Sequence, residues 1–190
     1  MGTRAVMGFR KNNVDKYQYV HYNGYPEGLG RELVYALKDT TIEQLNTIYD
    51  NIQMVSGKEP PTIEQKKACF KYANINVSNQ SLDDWYCLLR NAQGNLHAYK
   101  EGLVYMLDSG DFIKNSLFCE YAYIINLDTN ELEFWTGFQK KPDSSNRYGV
   151  EPSHIIEEDE KYYPCKLQKT FPLGDIPADV VKQMLGAVSE

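Results

Sequence analysis

Leu117-Phe118-Cys119-Glu120-Tyr121-Ala122-Tyr123-Ile124-Ile125-Asn126-Leu127, then Asp128-Thr129-Asn130, then Glu131-Leu132-Glu133-Phe134-Trp135-Thr136-Gly137-Phe138, reads as two strands joined by a short turn. Both runs are rich in aromatic and β-branched residues, and the Asp/Asn link supplies turn chemistry. The amino terminus has the same grammar. In Thr3 to Arg10, Ala5, Met7 and Phe9 fall on one side and Arg4, Val6 and Arg10 on the other. Lys11-Asn12-Asn13 turns the chain into the strand-forming run Tyr17 to Tyr22, which gives a hairpin over residues 3–22. Tyr162 to Phe171 offers a fifth strand, and Ile176-Pro177 leads into a helix carrying Val180, Val181, Met184 and Leu185. Strands at both ends of a helical middle predict an α+β fold in a single domain, residues 1–190. The sheet is mostly antiparallel, with helices on one side.

The helical middle is marked by its caps. A short helix with Leu33, Val34 and Leu37 follows the loop Asn23-Gly24-Tyr25-Pro26-Glu27-Gly28-Leu29-Gly30. Thr41 with Gln44 opens a helix whose apolar face is Leu45, Ile48, Ile52 and Val55. Thr62 with Gln65 opens another, presenting Ile63, Phe70 and Ala73, and Ser81 with Asp84 a third, with Leu82, Trp85, Tyr86, Leu88 and Leu89. Leu96, Tyr99, Leu103 and Met106 keep helical spacing after the Gln93-Gly94-Asn95 turn, although Gly102 weakens that reading. Lys140 to Asp159 reads as a long polar surface loop.

Charge and composition exclude several classes. The 190 residues carry a formal charge of −6, so the chain lacks the basic face of a general DNA or RNA binder. Lys66, Lys67 and Lys71, and Lys140 with Lys141, read as solvated surface, as does the acidic run Glu157-Glu158-Asp159-Glu160. Cys69, Cys87, Cys119 and Cys165 are spaced by 18, 32 and 46 residues, without a CxxC pair, and the histidines form no HxxxH. No metal site or cofactor motif is written here, and the cysteines read as buried apolar residues in a reducing compartment. The first ten residues have no apolar signal core, and no apolar run is long enough to span a bilayer. The expectation is a cytoplasmic protein without a membrane partner.

The loop at residues 23–30 is the first candidate site. A glycine-rich turn into a helix can offer backbone N–H groups to an anion, and Gly24, Gly28 and Gly30 permit close approach. The same glycines also suit a plain strand-to-helix connection, and no Walker lysine follows. Beside the loop lie Tyr17, Tyr19, Tyr22 and Tyr25 with His21. Tyr17, Tyr19 and His21 share one strand face that suits a ring, a base or another protein. Arg4 on the neighbouring strand is placed to meet a carboxylate or phosphate, or to pair with Glu27. Glu120 lies on the face of Ala122 and Ile124, where a covered carboxylate needs a partner. Trp85, Tyr86 and Arg90 read as core plus a surface salt bridge. The candidate binding set is therefore Arg4, Tyr19, His21, Tyr22, Asn23, Gly24, Tyr25, Glu27, Gly28 and Gly30. An alternative is catalytic: His21 as base, Glu27 or Glu120 as acid, and Arg4 on the developing anion.

Met1-Gly2-Thr3-Arg4 followed by Tyr22-Asn23-Gly24-Tyr25-Pro26-Glu27-Gly28 resembles the opening of an uncharacterised family of small phage and prophage proteins. Asp83-Trp85-Tyr86-Leu88-Leu89-Arg90, Gln93-Gly94, Ser116-Leu117-Phe118-Cys119-Glu120 and Gly137-Phe138-Gln139 extend the likeness over residues 1–139. The resemblance implies a viral or mobile-element context and brings no catalytic residues with it. In that context the expectation is a non-catalytic binder that counters host defence. It would either block an effector protein, such as a CRISPR nuclease, or sequester a nucleotide signal. The second option needs convergent basic groups, for which Arg4, Arg31 and Arg90 are the candidates. The runner-up is a small hydrolase or nucleotide-processing enzyme, and a homodimer built on the tyrosine face is the third option.

Overall fold

In the computed structural model, which describes residues 2–157 and 160–188, the chain forms an α+β fold around one five-stranded sheet. The strands in it are β1 (Ala5–Lys11), β2 (Val14–Val20), β5 (Tyr121–Asn126), β6 (Glu131–Thr136) and β9 (Lys166–Pro172). The short strands β3 (Gln53–Val55) and β4 (Tyr105–Leu107) pair with each other, as do β7 (His154–Glu157) and β8 (Glu160–Tyr162). The helices are α1 (Arg31–Lys38), α2 (Ile42–Asn51), α3 (Ile63–Cys69), α4 (Trp85–Leu88), α5 (Leu96–Lys100) and α6 (Val180–Val188).

Sheet order is β2-β1-β5-β6-β9, antiparallel except between β1 and β5. β2 returns the chain to the end where β1 starts, and residues 21–120, which hold most of the helices, leave and re-enter the sheet at that same end, so that β5 enters beside β1 and parallel to it. Both hairpins form as the sequence predicts. Asn12 and Asn13 take φ of 52° and 59°, the left-handed pair that a two-residue hairpin turn requires. Their N–H groups donate to the Asp128 carboxylate at 2.6 and 3.0 Å, which ties one hairpin turn to the other.

The alternation in β1 divides the interior. Ala5, Met7 and Phe9 join Tyr123, Ile125, Leu132, Phe134 and Phe171 against the buried faces of α1, α2, α5 and α6. Each of the large aliphatic and phenylalanine side chains among them contributes roughly 1.5–3 kcal/mol by leaving water. Val6, Tyr17, Ala122, Ile124 and Trp135 form a smaller core on the other face with Ile113, Cys119 and Cys165, which lie on connecting segments. All four cysteines are buried and unpaired. Among the described residues no helix is long and apolar enough to cross a membrane.

Several local expectations need correction. The capping boxes at Thr41/Gln44 and Thr62/Gln65 both form. The helix after Thr62, however, buries Cys69 and the following Tyr72, leaving Ile63 and Phe70 more than 60% exposed, at 65% and 64%. Val55 and Met106 are in the strands β3 and β4, because α2 stops at Asn51 and α5 stops before Gly102, whose φ is 103°. Asp84, rather than Ser81, caps α4, accepting from the Tyr86 N–H at 2.8 Å. Leu117 and Phe118 are in a turn and Cys119 and Glu120 follow without regular structure, so β5 begins only at Tyr121.

The 140–159 stretch is more than a surface loop. Its Arg147 makes two hydrogen bonds to the buried Glu133 carboxylate, at 2.8 and 2.6 Å, and Tyr148 meets the Tyr17 hydroxyl. Glu158 and Asp159 of the acidic run lie outside the described residues. Lys66 pairs with Asp83, Lys71 with Glu101 and Lys140 with Glu160, as surface charges do.

Candidate functional site

The glycine loop is wired inward. Gly24 N–H donates to Thr3 O at 2.9 Å, Gly28 N–H to Tyr25 O at 3.0 Å and Leu29 N–H to Asn23 O at 2.7 Å. Gly30 N–H reaches Tyr25 O at 3.4 Å, and the Arg31 N–H is shared between Pro26 O and Gly28 O. The donors that would cradle a phosphate are thus already satisfied by carbonyls. Tyr123 donates its hydroxyl to Gly24 O at 2.9 Å, and its ring covers Gly30. At Gly28 a Cβ would stand 2.4 Å from Asn23 O, so glycine is there because two backbone segments touch. Gly24, Gly28 and Gly30 are buried, whereas Tyr25 and Glu27 face out. Of the ten expected binding residues, only Tyr22 and Asn23 line the neighbouring cleft.

That cleft has a volume of about 620 Å³, and its charged and aromatic lining is Tyr22, Arg31, Glu32, Tyr35, Arg90 and His97. The volume falls within the range of small-molecule sites. Arg31 and Tyr35 stand one helical turn apart on the exposed side of α1, because Leu33, Val34, Ala36 and Leu37 occupy its buried side. Arg90 follows α4. Its guanidinium lies 4.9 Å from the Tyr22 ring and 5.4 Å from the Tyr86 ring, and donates to Gln93 Oε1 at 2.7 Å. The same oxygen accepts from the His21 N–H at 3.2 Å. Arg90 was expected in a surface salt bridge, and the rings take that place. Among the described residues, neither Arg31 nor Arg90 is in an ion pair.

Beyond Arg90 the cleft gives way to an aromatic shelf at one end of the sheet. Ala5 pairs with Val20 on one side and Tyr121 on the other, so one step further the row is His21, Arg4, Glu120. The Tyr19 ring lies 5.0 Å from Phe112, 6.3 Å from Tyr86 and 5.9 Å from His21. Its hydroxyl meets His21 Nδ1 at 2.9 Å. Partial burial, then Arg90 and Arg4, hold the His21 imidazole below its ordinary pKa. Burial and the neighbouring Tyr86 raise the Tyr19 phenol, against the pull of Arg4 and Arg90.

Arg4 does not pair with Glu27. Its guanidinium lies 4.9 Å from the Phe118 ring, and Phe118 in turn meets His154 edge to face at 5.5 Å. Glu120 is half-buried and accepts the Arg4 backbone N–H at 3.2 Å rather than the guanidinium. Glu27 acts electrostatically on Tyr121 and Tyr123, whose side chains belong to the helix-covered face, away from His21. His21 and Glu120 share the opposite face, two strand spacings or roughly 10 Å apart. Among the described residues no group of three His, Cys, Asp or Glu side chains gathers where a metal ion could sit.

Sequence reasoning missed Tyr35 and His97 as lining residues. The signal for Tyr35 was its i, i+4 spacing from Arg31; His97 carried none. Comparison with protein-family models, curated proteins and solved structures finds no match to this chain.

Proposed function

We propose that this protein is a non-catalytic binder that captures a small phosphorylated, ring-bearing ligand of the nucleotide class in the cleft beside α1. One observation carries the reading: Arg31 and Arg90 border the cleft and are in no ion pair among the described residues, with the Tyr22 ring under Arg90 and Tyr35 in the same lining. Guanidinium groups bind phosphate through charge-assisted, frequently bidentate hydrogen bonds, and tyrosine offers rigid stacking area. Of the two targets left open by the sequence, an effector protein and a nucleotide signal, this lining favours the second. The phage-like opening supplies the setting by analogy: sequestering a host nucleotide signal in the cytosol would blunt a defence response.

The catalytic alternative draws on His21 and Glu120 sharing one sheet face. It is the weaker reading, because general acid–base work needs groups within hydrogen-bond reach of one reacting centre. Here the strand carrying Arg4 separates them, and the Glu120 carboxylate already accepts a backbone N–H.

Isothermal titration with 5′-mononucleotides, followed by chromatography of the recovered ligand, tests the proposal. The expected result is stoichiometric binding by the wild type, a loss of at least about tenfold in Arg90→Ala, and ligand recovered intact. No binding at millimolar ligand would overturn it, and recovery of a hydrolysed product would move the protein to the enzyme class.

A further inference from the structure

Cleft and shelf are joined by shared residues. Tyr22 borders the cleft, and its ring also meets His21 at 6.5 Å. Arg90 borders the cleft and at the same time lies over Tyr86, which leads on to Tyr19 and Phe112. Arg4 on Phe118 and then His154 continue the series. From Tyr35 to His154 the surface thus combines aromatic rings with cationic or titratable groups. It holds all three histidines of the chain and three of its five arginines, Arg4, Arg31 and Arg90. Arg4, like the two cleft arginines, is in no ion pair among the described residues.

We infer that this is one continuous track for a short single-stranded oligonucleotide, with one nucleotide in the cleft, the next on the shelf and the intervening phosphate on Arg90. The inference rests on the cleft reading above and extends it from a mononucleotide to a chain of at least two. Single strands are held by ring faces that stack on bases and by arginines that follow the backbone, a pattern that tolerates any base. A duplex hides its base faces and calls for a broad basic surface, which a chain of charge −6 does not present. The acidic remainder of the protein disfavours a polyanion elsewhere, so anion binding concentrates where the unpaired guanidinium groups are. A peptide partner fits less well, since an acidic peptide would use the arginines and leave the ring faces of Tyr19, Tyr86 and Phe112 without planar partners.

The test is fluorescence anisotropy or calorimetry with 5′-phosphorylated adenosine dinucleotide, in ribo and deoxy forms, against the corresponding mononucleotide and a short duplex. Wild-type protein is expected to bind the dinucleotide at least about tenfold more tightly than the mononucleotide, given roughly 1–3 kcal/mol per stacked base. It should also show a steeper loss with salt for the dinucleotide and leave the duplex unbound. Arg4→Gln, a shelf residue, should bring the dinucleotide down to the mononucleotide level while leaving mononucleotide affinity unchanged. Phe118→Leu, read in parallel, keeps the test decisive if Arg4→Gln fails to fold. Equal affinity for both ligands, unaffected by either variant, would overturn the track and leave the cleft reading standing. Failure to bind either ligand would overturn both.

Discussion

Two clusters of arginine and aromatic side chains lie on the same face of the sheet, and they are built differently. At the β6 end, Arg147 stacks on Trp135 at 4.7 Å and on Tyr148 at 5.0 Å and is also met by its own carboxylate, Glu133. That carboxylate is 3% exposed and accepts further hydrogen bonds from Asn126 at 2.7 Å and Trp135 at 2.9 Å. At the other end, Arg4 and Arg90 have rings beneath them and, among the described residues, neither is in an ion pair. Where an arginine serves the fold, this chain supplies the counter-charge from within. Where the counter-charge is missing, the arginine is left for an anion from outside.

The largest way to break the comparison is to empty the closed cluster. Arg147→Ala strands a buried carboxylate and should cost about 3–5 kcal/mol in urea unfolding. A loss below about 1 kcal/mol would mean that the 140–153 segment contributes little to the second core. Gly28→Ala comes next, at about 1–3 kcal/mol, because the added Cβ meets the Asn23 backbone rather than a flexible side chain. A neutral result there would return the glycine loop to candidacy as a ligand cradle.

Acid sharpens the contrast from another direction. Burial raises the pKa of Glu133, but the hydrogen bonds from Arg147 and Asn126 outweigh it and hold the group below its ordinary 4.5. A depressed folded-state pKa contributes stability that is fully present above the unfolded value and is lost as pH falls through the folded one. The stability advantage of wild type over Glu133→Gln should therefore be constant near pH 7 and narrow below about pH 4.5. An advantage unchanged down to pH 3 would show that Glu133 acts by shape rather than charge. The smallest effect is expected at the open cluster. Arg90→Ala should shift stability by no more than about 1 kcal/mol, the scale of an exposed cation–π contact, while removing most ligand affinity.

The same contrast marks how far the sequence could be read. Local signals were legible: the alternation Ala5-Met7-Phe9, the left-handed Asn12-Asn13 turn and two capping boxes are dictated within a few residues. Spacing misled where a helix ended early, since Val55 and Met106 kept an apolar interval that β3 and β4 also satisfy. Ile63 and Phe70 look like core residues in a pattern and are exposed because α3 packs through Cys69 and Tyr72. The Glu133–Arg147 pair was invisible because its arginine sits in a polar stretch with no periodicity to place it. The site was half legible. Arg31, Arg90, Tyr22 and Asn23 came from the sequence, but their convergence depends on the long helical connection, residues 21–120, folding back beside the loop.

The most direct test of the account is native mass spectrometry on protein recovered gently from expressing cells, wild type beside the Arg31→Ala/Arg90→Ala double variant. The account predicts a wild-type species carrying a nucleotide mass that is released unchanged on denaturation, and a folded variant that is empty. A wild-type protein that is empty from cells and stays empty on titration with nucleotides would contradict it.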